Sequence, residues 1–170
     1  HELAAWGIAH AVYDPLDADS LRRQLTAATK LVWLEAAGSV TMEFPDLVAL
    51  VQLCKARGVL CALDNTWGAG LAFRPLAHGV DVSVQAVTKY VGGHSDLLMG
   101  GIAAGAPSVL RAIANTIEDM GWHVSPDDAW LALRGLRTLP LRYAEQGRSA
   151  LVVAQWLKAQ PEVAEVLYPA

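Results

Sequence analysis

Short apolar runs alternate with amphipathic stretches along the first hundred residues. Leu31 to Glu35 (LVWLE), Val59 to Leu63 and Val82 to Val87 are short, and apolar or alternating, as buried β-strands are. Between the first two, Leu47, Leu50, Val51 and Cys54 recur at helical spacing. Gly58 stands where a C-terminal cap belongs, which predicts a helix over 46–57. The order strand, helix, strand implies parallel pairing. Repeated units of this kind imply an α/β fold: a mostly parallel sheet, covered by helices on both faces, that binds ligands at the carboxyl ends of its strands.

The glycine-rich MGGIAAGAP (99–107) reads as one more strand and a turn, and Leu110, Ile113, Ala114 and Ile117 mark a further helix. Ser125-Pro126-Asp127-Asp128 supplies an N-cap, a proline in the first helical position and two acids in the first turn. That predicts a helix over about 126–134, followed by a longer one over about 140–159 that Pro161 closes. The tail EVAEVLYP reads as the first strand of a further domain. The chain opens on helical-looking sequence with histidine as its first residue and no basic-then-apolar leader, so the expectation is a piece of a longer polypeptide.

Composition narrows the class. At 170 residues, 54% hydrophobic and 18% charged, the chain carries enough apolar material for one sizeable core. A net charge of −4, with no basic cluster beyond Arg22-Arg23, opposes binding to phosphate backbones, so no nucleic-acid partner is expected. The longest uncharged stretch, Leu97 to Leu110, is too short to cross a bilayer, for which roughly 18 residues are needed. Cys54 and Cys61 lack the spacing of thiolate metal sites or disulfide frameworks and are expected to be reduced core residues of a cytoplasmic protein.

Two residues carry the candidate chemistry. Asp64 ends the run VLCALD and Lys89 ends the run VSVQAVTK, so an acid and a lysine are expected at the carboxyl ends of neighbouring strands. Pyridoxal phosphate chemistry needs such a pair. The amine holds the cofactor's aldehyde, and the carboxylate keeps the pyridine nitrogen protonated so that the ring accepts carbanion electrons. Lys30 and Lys55, by contrast, are expected at helix ends as solvated charges. Gly92-Gly93 after Lys89 permit close backbone approach. Taken alone, Asp64-Asn65 is also a common turn former whose carboxylate bonds nearby amides. Thr88 is a candidate donor to the cofactor phosphate, and otherwise an ordinary β-branched strand residue.

His94 and Asp96 lack the partners of a zinc site, so no metal is expected and a loop-ordering hydrogen bond is the reading for His94. His1, His10, His78 and His123 have no assigned work, and the six tryptophans are read as packing and interface residues. Arg134 and Arg137 are expected to bond helix-end carbonyls or to form a salt bridge. No dinucleotide or P-loop glycine signature opens a helix after any predicted strand.

DNTWGAG, DVSVQAVTKYVGGHSD with the MGG that closes it, and RGLRTLPLR together resemble the Cys/Met-metabolism enzymes that use pyridoxal phosphate. LEAAGSVTMEFPDL is most similar to their cystathionine β-lyase branch. The resemblance implies a fold-type-I enzyme, usually a homotetramer built of dimers with shared active sites. In it Lys89 is the lysine bound to pyridoxal 5'-phosphate, Asp64 the partner of the pyridine nitrogen and Thr88 a phosphate ligand. It implies β-elimination of cystathionine to homocysteine, pyruvate and ammonia, with cystathionine γ-lyase, methionine γ-lyase and cystathionine γ-synthase as alternatives within the family. Ala86 stands where many relatives have a serine ligand to the phosphate, and Ala37 where the branch has proline.

Relatives place a ring-stacking tyrosine and a glycine-rich phosphate loop upstream of this region, and the arginine for the substrate carboxylate downstream. Residues 1–138 therefore correspond to part of the large cofactor-binding domain without its N-terminal portion. Residues 139–170 correspond to a connecting helix and the start of a C-terminal domain. Little or no turnover is expected from the 170 residues alone.

Overall fold

The structure is a computed structural model and describes residues 2–168. Eleven elements follow one another. The helices are α1 (Glu2–Ala5), α2 (Ala18–Gln24), α3 (Leu47–Ala56), α4 (Pro107–Asp119), α5 (Pro126–Leu136) and α6 (Leu139–Lys158). The strands are β1 (Leu31–Glu35), β2 (Leu60–Asp64), β3 (Val82–Ala86) and β4 (Gly100–Ala104), with a 3₁₀ turn over Pro75–His78 ahead of β3.

α3 forms where its apolar spacing says it should. The Asp46 side chain accepts from the Ala49 amide at 3.0 Å and closes the first turn. At the other end Gly58 adopts φ +64°, while Gly58 N–H bonds the Lys55 carbonyl and Val59 N–H the Cys54 carbonyl, the double bond of a Schellman cap. Its buried stripe of Leu47, Leu50, Val51 and Cys54 packs on Val32, Leu34, Cys61 and Leu63 of β1 and β2, with Leu21 and Leu25 from α2 and its C-cap completing the core. Both cysteines are free and buried, as expected.

The strands lie in the order β1-β2-β3-β4, the first three parallel and the last antiparallel to β3. β1, the helices α3 to α6 and the glycine-rich fourth strand thus lie where the hydrophobic pattern put them, within a few residues. On the face away from α3, Ala62 and Val82 are buried while Leu31, Trp33, Leu60 and Ile102 remain about half exposed among the described residues. Right-handed crossovers that step in one direction across a sheet all pack on the same side, and α3 and the segment around Val80 do so here. One expectation fails: Lys30 is not at a helix end, since α2 stops at Gln24 and Lys30 immediately precedes β1.

Residues 163–168 form no strand, so the extended tail is not realised over the described residues, and Pro169 lies outside them. His1 also lies outside. Among the described residues no helix is long and apolar enough to cross a membrane, and no three His, Cys, Asp or Glu side chains gather as a metal site would require.

Candidate active site at the carboxyl edge of the sheet

Asp64 is the last residue of β2 and pairs in register with Val84 of β3. Its Oδ1 accepts from the Thr66 amide at 2.9 Å and from the Thr66 hydroxyl at 2.6 Å, which is the turn-forming arrangement that an Asp after a strand adopts. The Thr66 hydroxyl in turn accepts from the Ala86 amide at 2.8 Å, tying the end of β2 to the end of β3. Asp64 Oδ2 accepts no hydrogen bond among the described residues. The turn-forming and site readings of Asp64 are therefore compatible, one oxygen serving each.

Glu35 ends β1 in register with Asp64 on the same face of the sheet. Neighbouring strands run about 5 Å apart, so two carboxylates sit side by side at this edge. Two like charges side by side make this edge attractive to a cationic group. Glu35 also accepts from the Ser39 hydroxyl at 2.6 Å. The strand pattern alone gave no sign of this second carboxylate, because register becomes visible only once the strands pair.

β3 ends at Ala86, so Lys89 is carried not by the strand but by the turn after it. The chain folds back there because Lys89 N–H bonds the Ala86 carbonyl at 2.9 Å and Gly93 N–H bonds the Lys89 carbonyl at 2.8 Å, with Gly93 at φ +73°. Lys89 is exposed and enters none of the ion pairs among the described residues, which leaves its amine available. Thr88 is otherwise engaged: its hydroxyl donates to the Met99 carbonyl at 3.3 Å and accepts from the Met99 amide at 3.0 Å. Asp64 and Lys89 share the carboxyl edge, while the Thr88 hydroxyl faces the strand-to-strand connection.

The surrounding loops are held by residues the sequence pattern did not single out. Asn65 is buried, its amide bonding the Val84 carbonyl at 2.8 Å and its side chain the Phe73 carbonyl at 3.2 Å. Trp67, Tyr90 and Tyr143 form a chain of aromatic contacts, with centroids 6.5 Å and 5.2 Å apart. Burial raises the phenol pKa of Tyr90 and Tyr143, aided by neighbouring tyrosines, so both remain donors at neutral pH. His94 Nδ1 lies 2.8 Å from the Gly92 carbonyl, the loop-ordering role expected of it. Arg134 pairs with Asp96, whose carboxyl it holds below the usual range, and lies 5.7 Å over the Trp130 ring.

A free amine in the turn after β3 and a half-engaged carboxylate at the end of β2 suit the aldehyde and the ring nitrogen of pyridoxal phosphate. The family model of the Cys/Met metabolism PLP-dependent enzymes matches residues 1–170. The chain belongs to this family. Relatives within it include a cystathionine beta-lyase of Bordetella avium, 46% identical over 142 residues that make up 84% of this chain and 36% of that protein. A putative cystathionine beta-lyase of Saccharomyces cerevisiae is 43% identical over 168 residues, 99% of this chain and 49% of that one.

The crystal structure of a cystathionine gamma-lyase from Lactobacillus plantarum complexed with L-serine superposes with a TM-score of 0.91 at 29% identity, covering 96% of this chain and 43% of the other. The chain thus spans less than half the length of these relatives. The cofactor of the family is pyridoxal phosphate, and the fold is a mostly parallel sheet flanked by helices, as in the solved relatives.

Proposed function

We propose that the protein to which these residues belong is a carbon–sulfur lyase that breaks the Cβ–S bond of L-cystathionine, releasing homocysteine and, with uptake of one water, pyruvate and ammonia. The carrying observation is the pair formed by the free Lys89 amine and the half-engaged Asp64 carboxylate at one sheet edge. The names of the two sequence relatives support the choice of cystathionine. When bound, pyridoxal phosphate supplies an aldehyde for covalent attachment and a cationic ring that accepts the electrons left at Cα.

Lys89 Nζ would be the attachment point for the cofactor and, as a free amine, the base for the α-proton of the substrate. The Asp64 carboxylate, with one oxygen unengaged, would keep the ring nitrogen of the bound cofactor protonated, and the Glu35 charge beside it would act in the same sense. The Thr66 hydroxyl fixes the Asp64 carboxylate by occupying its other oxygen. Thr88 serves the cofactor phosphate only if its hydroxyl turns away from Met99, and Ala86 offers no hydroxyl of its own. For residues 1–170 by themselves we therefore propose little or no turnover. We propose the boundary between the large domain and the C-terminal segment at 138/139, a position that falls between α5 and α6.

Incubation of the intact, cofactor-loaded protein with L-cystathionine tests the reaction. Pyruvate and homocysteine in equal amounts support it, and 2-oxobutyrate with cysteine contradicts it. The second of these outcomes would favour a γ-lyase, the reading to which the superposition with a cystathionine gamma-lyase points.

A further inference from the structure

We infer that the dipeptide Arg142-Tyr143 of α6 is a positioning element that sets the Lys89 turn against the Asp64 loop; the inference rests on the proposed roles of those two residues. Arg142 uses four of its five N–H donors. Nε reaches the Thr138 hydroxyl at 3.0 Å, Nη1 the Tyr90 carbonyl at 2.7 Å, and Nη2 the Val91 carbonyl at 3.2 Å and the Gly135 carbonyl at 2.7 Å. Tyr90 and Val91 are the two residues after Lys89, so one guanidinium grips the lysine turn and the end of α5 together.

Tyr143 performs the matching task on the other side. Its hydroxyl donates at 2.7 Å to the carbonyl of Trp67, in the loop just beyond Asp64, and its ring meets Tyr90 edge-on with centroids 5.2 Å apart. Two consecutive residues of one 20-residue helix thus tie down both loops. Glycines make the approach possible. A Cβ on Gly93 would come within 2.0 Å of Arg142 Nη1, and one on Gly135 within 2.2 Å of the Val91 carbonyl oxygen. A lysine at 142 would bring the charge without the planar fork that meets several carbonyls at once. A site whose groups must be held to about 0.5 Å depends on such supports.

The test uses the intact protein and its Arg142→Lys and Tyr143→Phe variants. Hydrogen exchange is read on the cofactor-free forms. Borohydride-reduced adduct at Lys89 is read at sub-saturating pyridoxal phosphate. For Arg142→Lys we expect exchange at the Gly92 and Gly93 amides to rise tenfold or more while the amides of β1 and β2 stay within twofold, and Lys89 adduct to fall at least threefold. For Tyr143→Phe we expect the rise at Ala69 and its loop instead, with kcat lowered more than KM is changed.

If Arg142→Lys merely lowers the unfolding midpoint, with exchange rising equally throughout the sheet and adduct within twofold of the parent, the inference is overturned while the lyase reading stands. An adduct on another lysine in the unsubstituted protein overturns the lyase reading itself, and this inference with it.

Discussion

Substituting Gly135 by alanine sets two effects of opposite sign against each other. In an exposed helix interior the change stabilises by about 1 kcal/mol, the propensity difference between the two residues. Here the new Cβ would lie 2.2 Å from the Val91 carbonyl oxygen and 2.3 Å from that of Gly92. Restoring ordinary contact requires α5 to retreat by about 1 Å, and overpacking of this kind costs about 1–3 kcal/mol. The same retreat stretches the 2.7 Å bond from Arg142 to the Gly135 carbonyl past the limit of a hydrogen bond, adding about 1 kcal/mol. The net expectation for Gly135→Ala is destabilisation by about 1–3 kcal/mol, read as a lower denaturant midpoint at unchanged slope. A higher midpoint would show that α5 does not press on the Lys89 turn.

Thr66→Val strips the Asp64 carboxylate and the Ala86 amide of a shared partner, and unfolding in urea should show a loss of about 1–3 kcal/mol. Asp64→Asn keeps an acceptor for Thr66 but removes the charge, so the protein should fold with a nearly unchanged midpoint while steady-state turnover drops by roughly 100-fold or more. Tyr13 is pushed up to about 12 by burial first and by Cys54 second. Its folded form therefore keeps the proton longer than the unfolded chain. The corresponding stability, about 1–2 kcal/mol after allowance for solvent screening, is present below pH 10 and lost as pH rises towards 12. Tyr13→Phe should flatten that part of the stability–pH curve, and an equally steep decline in the variant would assign the loss to other groups.

The parts of the fold legible in the sequence are those fixed by local pattern. α3 announces itself by Leu47, Leu50, Val51 and Cys54 and by its caps at Asp46 and Gly58, all features of contiguous residues. β2 is displaced by one residue at both ends and β3 stops one residue early because the limit of a strand depends on where its neighbour stops pairing. The short α2 is not visible in the pattern as a separate element because it buries one residue, Leu21, and so lacks an apolar stripe.

In the site, Asp64 and Lys89 stand out as single charged residues that end apolar runs. Glu35 beside Asp64, the buried Asn65 and the reach of Arg142 across 51 and 52 residues to Val91 and Tyr90 are consequences of pairing and packing that no local spacing encodes. The glycines at 93 and 135 were the available signals. Each marks a place where backbone or guanidinium comes too close for a Cβ.

The measurement that bears most directly on this account is borohydride reduction of the intact protein with pyridoxal phosphate, followed by peptide mapping. The account predicts one reduced pyridoxyl adduct, on Lys89, its yield diminished by Asp64→Asn. An adduct on Lys30, Lys55 or Lys158, or none on Lys89, would contradict it.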